Sequence, residues 1–308
     1  MYNSKLYVIM EIENVIYDFT NYYLKMVDYI GTFLNENLGI DKQGFVNCFV
    51  NQIKSEIFVS NDYLYTTYQV LKNCDDRTVT FPNNNSKVSF INGLRMKFNQ
   101  GRVKCIKFHS GALTFLKKLK DMGIVIIGFT NSSSRTIKQR LKILDIDKYF
   151  DTIYCLQDHF HSVDESKVDE SAVSGIWYNS VCNNVSSLMC DVIEFPQTYL
   201  KPSKRGLQRI LEDEEISGSN VIVFGNSLEN DIMPSKLLGL KTVFFNTRTR
   251  IQDRSLVSKF LEHLDSKTVR KILNFPKNKK FLNEISDLIS VSSLSEFIYV
   301  LESARVRI

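Results

Sequence analysis

Five short apolar runs punctuate the chain: Leu6–Met10, Ile124–Phe129, Thr152–Cys155, Val221–Phe224 and Thr242–Phe245. None alternates apolar with polar positions as a half-exposed strand does, so each predicts a strand buried on both faces, the habit of parallel sheets. Helical spacing fills several of the gaps. Ser110–Met122 carries Leu113, Phe115, Leu116 and Leu119 and stops at Gly123, a residue suited to a helix end. Thr136–Leu144 repeats apolar residues at Ile137, Leu141 and Leu144, and Ser203–Glu214 at Leu207, Ile210 and Leu211. Asp287–Val291 reads as a last strand and Ser292–Leu301 as a closing helix. Strands alternating with helices predict right-handed βαβ units and an α/β fold with a doubly wound, Rossmann-like parallel sheet. Ligands of such sheets bind beyond the carboxyl ends of the strands, near the switch in strand order.

The intervening segments exceed what a minimal sheet needs. Phe19 to about Lys107 is rich in Tyr, Phe and Asn, with helical spacing near Tyr22–Leu38 and Gly44–Ile57. A second insertion covers about 158–196 and holds the single tryptophan, Trp177; a third covers about 247–281. These divide the chain into a core of 1–18, 107–157, 197–246 and 282–308, a mostly helical insertion over 19–106, and two smaller insertions at 158–196 and 247–281.

At 308 residues, 44% apolar and 24% charged, the chain has the composition of a globular protein with a sizeable core. No apolar run reaches the roughly 18 residues of a membrane span. Met1 leads straight into Lys5–Met10, which reads as a core strand rather than a cleavable signal. Six scattered cysteines form no Cys-x-x-Cys pair, as expected of reduced thiols in the cytoplasm or another reducing compartment. The net charge is +5, and Arg248–Lys280 alone carries ten Lys/Arg against three Asp/Glu. This count locates the basic character in one segment, where Lys277, Lys279 and Lys280 could follow a nucleic-acid backbone. Asp158-His159-Phe160-His161 offers too few ligands, badly spaced, for zinc.

Candidate chemistry sits where the apolar runs end. Met10-Glu11-Ile12-Glu13-Asn14 follows the first, Phe129-Thr130-Asn131 closes the second, Leu200-Lys201-Pro202 precedes a helix, and Gly225-Asn226-Ser227-Leu228-Glu229-Asn230-Asp231 follows Val221–Phe224. In this order and spacing the four segments resemble the haloacid dehalogenase (HAD) superfamily of phosphohydrolases, whose first motif is Asp-x-Asp-Gly-Thr and whose fourth usually begins Gly-Asp. The resemblance covers roughly half of the chain. It implies a HAD-like core with the 19–106 segment as a C1-type helical cap. It also implies a nucleophile at Glu11 that forms an acyl phosphate, a general acid/base at Glu13, and phosphoryl-binding groups at Thr130, Asn131 and Lys201. Mg²⁺ would be held by Glu11, Asn226 and Asp231 with a backbone carbonyl, an all-oxygen set suited to a hard cation.

Departures from the pattern leave the activity open. Glutamate at 11 and 13 sets each carboxyl one methylene further out, and a misplacement of about 1 Å can cost roughly 10²-fold in rate. Asn226 supplies an oxygen without the charge of an aspartate, which weakens any Mg²⁺ site. Asn14 and Val15 stand where the family has Gly-Thr. Asp231 and the Ser132–Ser134 run also suit helix caps. Three expectations follow. The first is a non-catalytic HAD-like protein with an eroded site that binds a phosphorylated ligand or serves as a scaffold with a protein partner. The second is a Mg²⁺-dependent phosphatase using Glu11. The third is a nucleic-acid or ribonucleoprotein-binding module acting through the basic 248–280 segment. None involves a membrane.

Overall fold

A computed structural model describes residues 5–42, 44–45, 84–157, 187–246 and 288–305. The expected helix at Gly44–Ile57 beyond Phe45, the histidine pair at 159 and 161, Trp177 and the basic 248–280 segment lie outside the described residues. Seven strands form one parallel sheet: β1 (Tyr7–Met10), β2 (Val125–Ser133), β3 (Thr152–Leu156), β4 (Asp191–Phe195), β5 (Val221–Gly225), β6 (Lys241–Phe245) and β7 (Ile289–Val291). Their order is β4-β3-β2-β1-β5-β6-β7. The chain builds outward from β1 to one edge and then returns to add strands on the other side. The order therefore switches at β1 and β5, which pair in register from Tyr7↔Val221 to Met10↔Phe224.

The apolar runs expected as buried strands are buried: β1 from Val8 on, β3 through Cys155, all of β5, and β6 after Lys241. The strand β4 falls inside the segment expected to be an insertion, so the sheet reaches further back along the chain than the apolar runs indicated. Its sequence Asp-Val-Ile-Glu-Phe puts two acids on a short edge strand. Edge strands are commonly blunted in this way, which removes the continuous apolar signature.

Side chains alternate between two cores. Val8, Met10, Ile126, Ile222 and Phe224 face one cluster, while Ile9, Ile127, Val221 and Val223 face the other. Helices α1 (Phe19–Leu38), α2 (Asn84–Cys105), α3 (Ala112–Asp121), α4 (Ser134–Leu144) and α7 (Leu294–Arg305) contribute to the first. Helix α5 (Lys204–Asp213) covers the second, while the single turn α6 (Met233–Lys236) follows the loop after β5. On α3 the buried stripe is Ala112, Phe115, Leu116 and Leu119, and Leu113 points outward at 42% exposure. Leu113 is apolar but lies off the 3.6-residue stripe. Helix α7 is fastened by Phe297, which stacks on Phe224 with centroids 4.0 Å apart and also meets Phe115.

The helical insertion leaves and rejoins the core through a short two-stranded stalk. Tyr17 and Phe108 form an antiparallel bridge, the Asp18 N–H donates to Lys107 O at 3.0 Å, and the His109 N–H donates to Ile16 O at 3.0 Å. Asp18 caps α1 by accepting from the Asn21 N–H, and Gly39 closes the helix in the left-handed region at φ 65°. Helices α1 and α2 then pack against each other, with Phe33 stacked on Phe90 at 5.8 Å.

Gly206 lets α5 approach the sheet closely. A Cβ there would lie 2.2 Å from Tyr199 O and 2.6 Å from the Phe129 ring. Alanine's better helix propensity is worth about 1 kcal/mol, whereas overpacking against backbone costs typically 1–3 kcal/mol and more where backbone must move. Gly206→Ala is therefore expected to lower the unfolding free energy, read as a lower urea midpoint with an unchanged slope.

Candidate functional site

The loop after β1 begins the site. Asn14 adopts φ 58°, the left-handed conformation that asparagine tolerates best after glycine. Its Oδ1 accepts from the Thr20 N–H at 3.0 Å and the Thr20 hydroxyl at 3.2 Å, which fixes the turn to the start of α1. The tight turn is thus made without the Gly-Thr pair. It sends the carboxyls of Glu11 and Glu13 to different surroundings.

Glu11 lies over the carboxyl end of the sheet. Its Oε1 accepts from the backbone N–H groups of Ile12 at 2.7 Å and Glu13 at 3.2 Å, and its Oε2 accepts from the Lys201 ammonium. Burial pushes this carboxyl up to about 8 against the pull of Lys201, and the nearby Glu13 and Asp231 add to the rise.

Glu13 is fully engaged inside the core. Its Oε1 accepts from Arg140 Nη1 at 2.5 Å, from the Ser132 hydroxyl, and from Tyr17 OH at 3.3 Å; its Oε2 accepts from the Thr130 hydroxyl at 2.5 Å. Burial works against the ionised form here too. The Arg140 guanidinium and the hydroxyls of Ser132 and Thr130 outweigh it, and hold the carboxyl below its ordinary range. Arg140 itself also donates to Tyr17 OH at 2.8 Å and lies over the rings of Phe19 at 5.0 Å and Tyr22 at 5.6 Å. The pair thereby joins the strand-end loop to the first helix of the insertion.

Lys201 gathers the rest. Its ammonium donates to Glu11 Oε2, to Phe129 O at 2.9 Å and to Asp231 Oδ1 at 2.7 Å, which uses all three of its protons. Its backbone is clamped by Asn131, whose Oδ1 accepts from the Lys201 N–H at 2.9 Å and whose Nδ2 donates to Lys201 O at 2.8 Å. The second oxygen of Asp231 accepts from the Ser227 N–H at 2.8 Å. Gly225 makes room for this: a Cβ there would meet the Asp231 side chain at 2.4 Å. Asn226 is half-buried at the end of β5, beside the end of β1.

The structure thus brings Glu11, Lys201, Asp231 and the end of β5 at Asn226 to the switch point of the sheet, with Thr130 and Asn131 at the end of β2. Glu13 shares the loop but faces Arg140. The expected phosphoryl-binding groups are committed within the protein: the Thr130 hydroxyl to Glu13, the Asn131 amide to the Lys201 backbone, and the Lys201 ammonium to two acids. Glu11, Asn226 and Asp231 offer only oxygen donors, the right kind for Mg²⁺, but with two carboxylates that Lys201 already partly neutralises. Among the described residues no group of three or more His, Cys, Asp or Glu is placed to hold a metal. Lys277, Lys279 and Lys280 lie outside the described residues.

Sequence reasoning missed Arg140, Tyr17 and Ser132. Arg140 carried a readable signal, because it falls three residues after Ile137 on the apolar stripe of α4. A charge in that position needs a buried partner. Removing one member of such a pair leaves the other buried and uncompensated, at a cost of about 3–5 kcal/mol. Glu13→Gln is expected to lose about that much at neutral pH. Glu13's carboxyl is held below its ordinary value of 4.5, so the wild-type advantage is full above that pH and is lost as pH falls further, through the lowered value. Urea denaturation of both proteins from about pH 7 down to about pH 2 checks the sign.

Comparisons with known proteins add the family. A family model for haloacid dehalogenase-like hydrolases matches residues 40–168. No curated protein sequence matches the chain. Among solved structures, a HAD phosphatase from Thermococcus onnurineus is 14% identical, with 96% of this chain and 97% of that one covered at a TM-score of 0.52. YfnB from Bacillus subtilis, provisionally named a HAD hydrolase and solved bound to magnesium, is 15% identical over 96% of this chain and 98% of its own, at 0.51. A Thermotoga maritima protein provisionally named a β-phosphoglucomutase is 14% identical over 97% and 99%, at 0.52. At such identities the structures speak for the fold alone. With the family match over residues 40–168, they show that this chain is similar to the haloacid dehalogenase-like hydrolases and shares their fold.

Proposed function

We propose that this HAD-like protein is non-catalytic and that its motif residues brace the carboxyl edge of the sheet, leaving it to act as a binding or scaffold protein. The observation that carries this reading is the enclosure of Glu13 by Arg140, Ser132, Thr130 and Tyr17. Phosphomonoester hydrolysis by this fold needs an ionised nucleophile and a second acid able to give up a proton to the leaving group. Here burial pushes the Glu11 carboxyl up to about 8 while it shares Lys201 with Asp231, and the donors around Glu13 hold its carboxyl below the ordinary range, favouring the ionised form over the proton a leaving group needs.

A second reading, a Mg²⁺-dependent phosphohydrolase, draws on one observation: Glu11, Lys201 and Asp231 still converge. In that reading Glu11, Asn226 and Asp231 would hold Mg²⁺, which supplies positive charge to the phosphoryl oxygens. Lys201 would shift from Asp231 toward the substrate anion, Glu11 would attack phosphorus, and the displaced alcohol would take its proton from Glu13.

Two measurements separate the readings. Purified protein with Mg²⁺ and p-nitrophenyl phosphate is expected to show no hydrolysis above buffer, and Glu11→Ala the same. Turnover in the wild type that disappears in Glu11→Ala would make Glu11 a working nucleophile and end the non-catalytic reading. Asn226→Asp restores the missing charge, and is expected to lower the Mg²⁺ concentration for half-maximal thermal stabilisation by roughly tenfold, about 1.4 kcal/mol of binding. A Mg²⁺ response in the wild type equal to that of Asn226→Asp would contradict the weakened donor set.

A further inference from the structure

We infer that the seam between α1 and α2 is a binding face for single-stranded nucleic acid. The sequence reading assigned the basic character to 248–280, but a second asymmetry lies elsewhere. From Arg77 to Lys120 the chain has ten Lys/Arg and not one Asp or Glu. Two of these, Lys118 and Lys120, pair with Glu302 and Asp151 on the core. Among the described side chains Lys97, Arg102 and Lys104 of α2 and the adjacent Lys107 form no ion pair with a carboxylate. Helix α1 adds Lys25, and its own acids do not cancel the field. Asp28 is taken by Lys42 at 2.5 Å, and Glu36 lies at the far end of the seam, beyond the Phe33–Phe90 contact.

What holds these ammonium groups is aromatic. Lys97 Nζ sits 4.7 Å from the Tyr29 ring centroid and 5.9 Å from that of Phe33, and Lys104 Nζ sits 5.6 Å from Tyr29. Tyr29 OH is in turn fixed by Gln100 at 3.3 Å. A ring attracts a cation through its quadrupole without neutralising it. The side chains are thus ordered while their full charge stays available to an anion. Ordinary surface lysines are paired or freely swinging, and these are neither.

The flanking chemistry chooses among polyanions. The outward face of α2 presents Asn85, Ser89, Asn92, Asn99 and Gln100, whose amides and hydroxyl can bond to base edges beside a phosphate track. An anionic membrane would need a broad apolar face. Among the described apolar side chains of α2 the exposed ones are Met96 and Val103, at 62% and 63%, while Leu94, Phe98 and Cys105 are buried. An α2 of 22 residues is about 33 Å long, enough to carry several successive phosphates.

The test is fluorescence anisotropy of a labelled uridine oligonucleotide of about 20 nucleotides with the full chain. Five contacts, from Lys25, Lys97, Arg102, Lys104 and Lys107, predict binding that weakens about 10²-fold between roughly 50 and 200 mM salt. The triple variant Lys97→Glu, Lys104→Glu, Lys107→Glu is expected to bind at least tenfold more weakly, with the salt slope reduced by about 2. The same three positions changed to Arg should keep both affinity and slope, which separates charge from folding. Absence of binding at low salt overturns the inference. So does binding that the triple variant retains, including binding lost instead when Lys277, Lys279 and Lys280 are neutralised. Capture by anionic phospholipid vesicles without RNA binding overturns it as well. The outcome is independent of whether the pocket hydrolyses phosphate.

Discussion

The ammonium of Lys201 is the point on which the carboxyl edge of the sheet is built. It donates to a side chain after β1, a backbone carbonyl on β2 and a side chain after β5, and its own backbone is held by Asn131 at the end of β2. No other described residue ties so many strand ends together. A buried lysine is costly unless opposite charges surround it. Here the acids on either side hold it charged, and its affinity for its proton rises despite burial. The same contacts that stabilise the edge occupy the donors a phosphoryl group would need. Stability and ligand capacity therefore compete for one set of atoms, and in this chain the protein's own acids have taken them.

Most of the core could be read from residues in order. Parallel strands buried on both faces leave unbroken apolar runs, so β1, β2, β3, β5 and β6 announced themselves, and three of the four motifs fell at their ends, with Lys201 just before α5. Two things hid. The edge strand β4 carries Asp191 and Glu194, because an edge needs little apolar surface and gains from charge. Arg140 hid for the opposite reason. It sits on an apolar stripe, where its partner, Glu13, lies more than a hundred residues away and only the fold brings the two together. The identity of the motif acids was legible, but their protonation was not. Glu11 and Glu13 are the same side chain two positions apart, and burial and neighbours push their carboxyls in opposite directions.

The glutamates also show why lengthening a side chain differs from deleting it. Glu13 is long enough to meet Arg140 while accepting from hydroxyls on β2, and the resulting network fills its space with satisfied polar atoms. Glu13, Arg140, Tyr17, Ser132 and Thr130 each have a hydrogen-bond partner within it. The longer acid is accommodated with its polar contacts satisfied.

The stalk formed by Tyr17, Asp18, Lys107 and Phe108 has a consequence for how this chain tolerates change. Its two strands bring the ends of residues 19–106 together whatever lies between them. The core then experiences that whole segment as a closed loop of fixed mouth, and closure entropy grows slowly with loop length, by about 0.6 kcal/mol for each doubling. Additions or losses of sequence beyond the stalk thus tax the sheet very little. The helical layer can diverge in length and surface while the edge braced by Lys201 keeps its form, so one part of the molecule is free to acquire new partners as the other stays fixed.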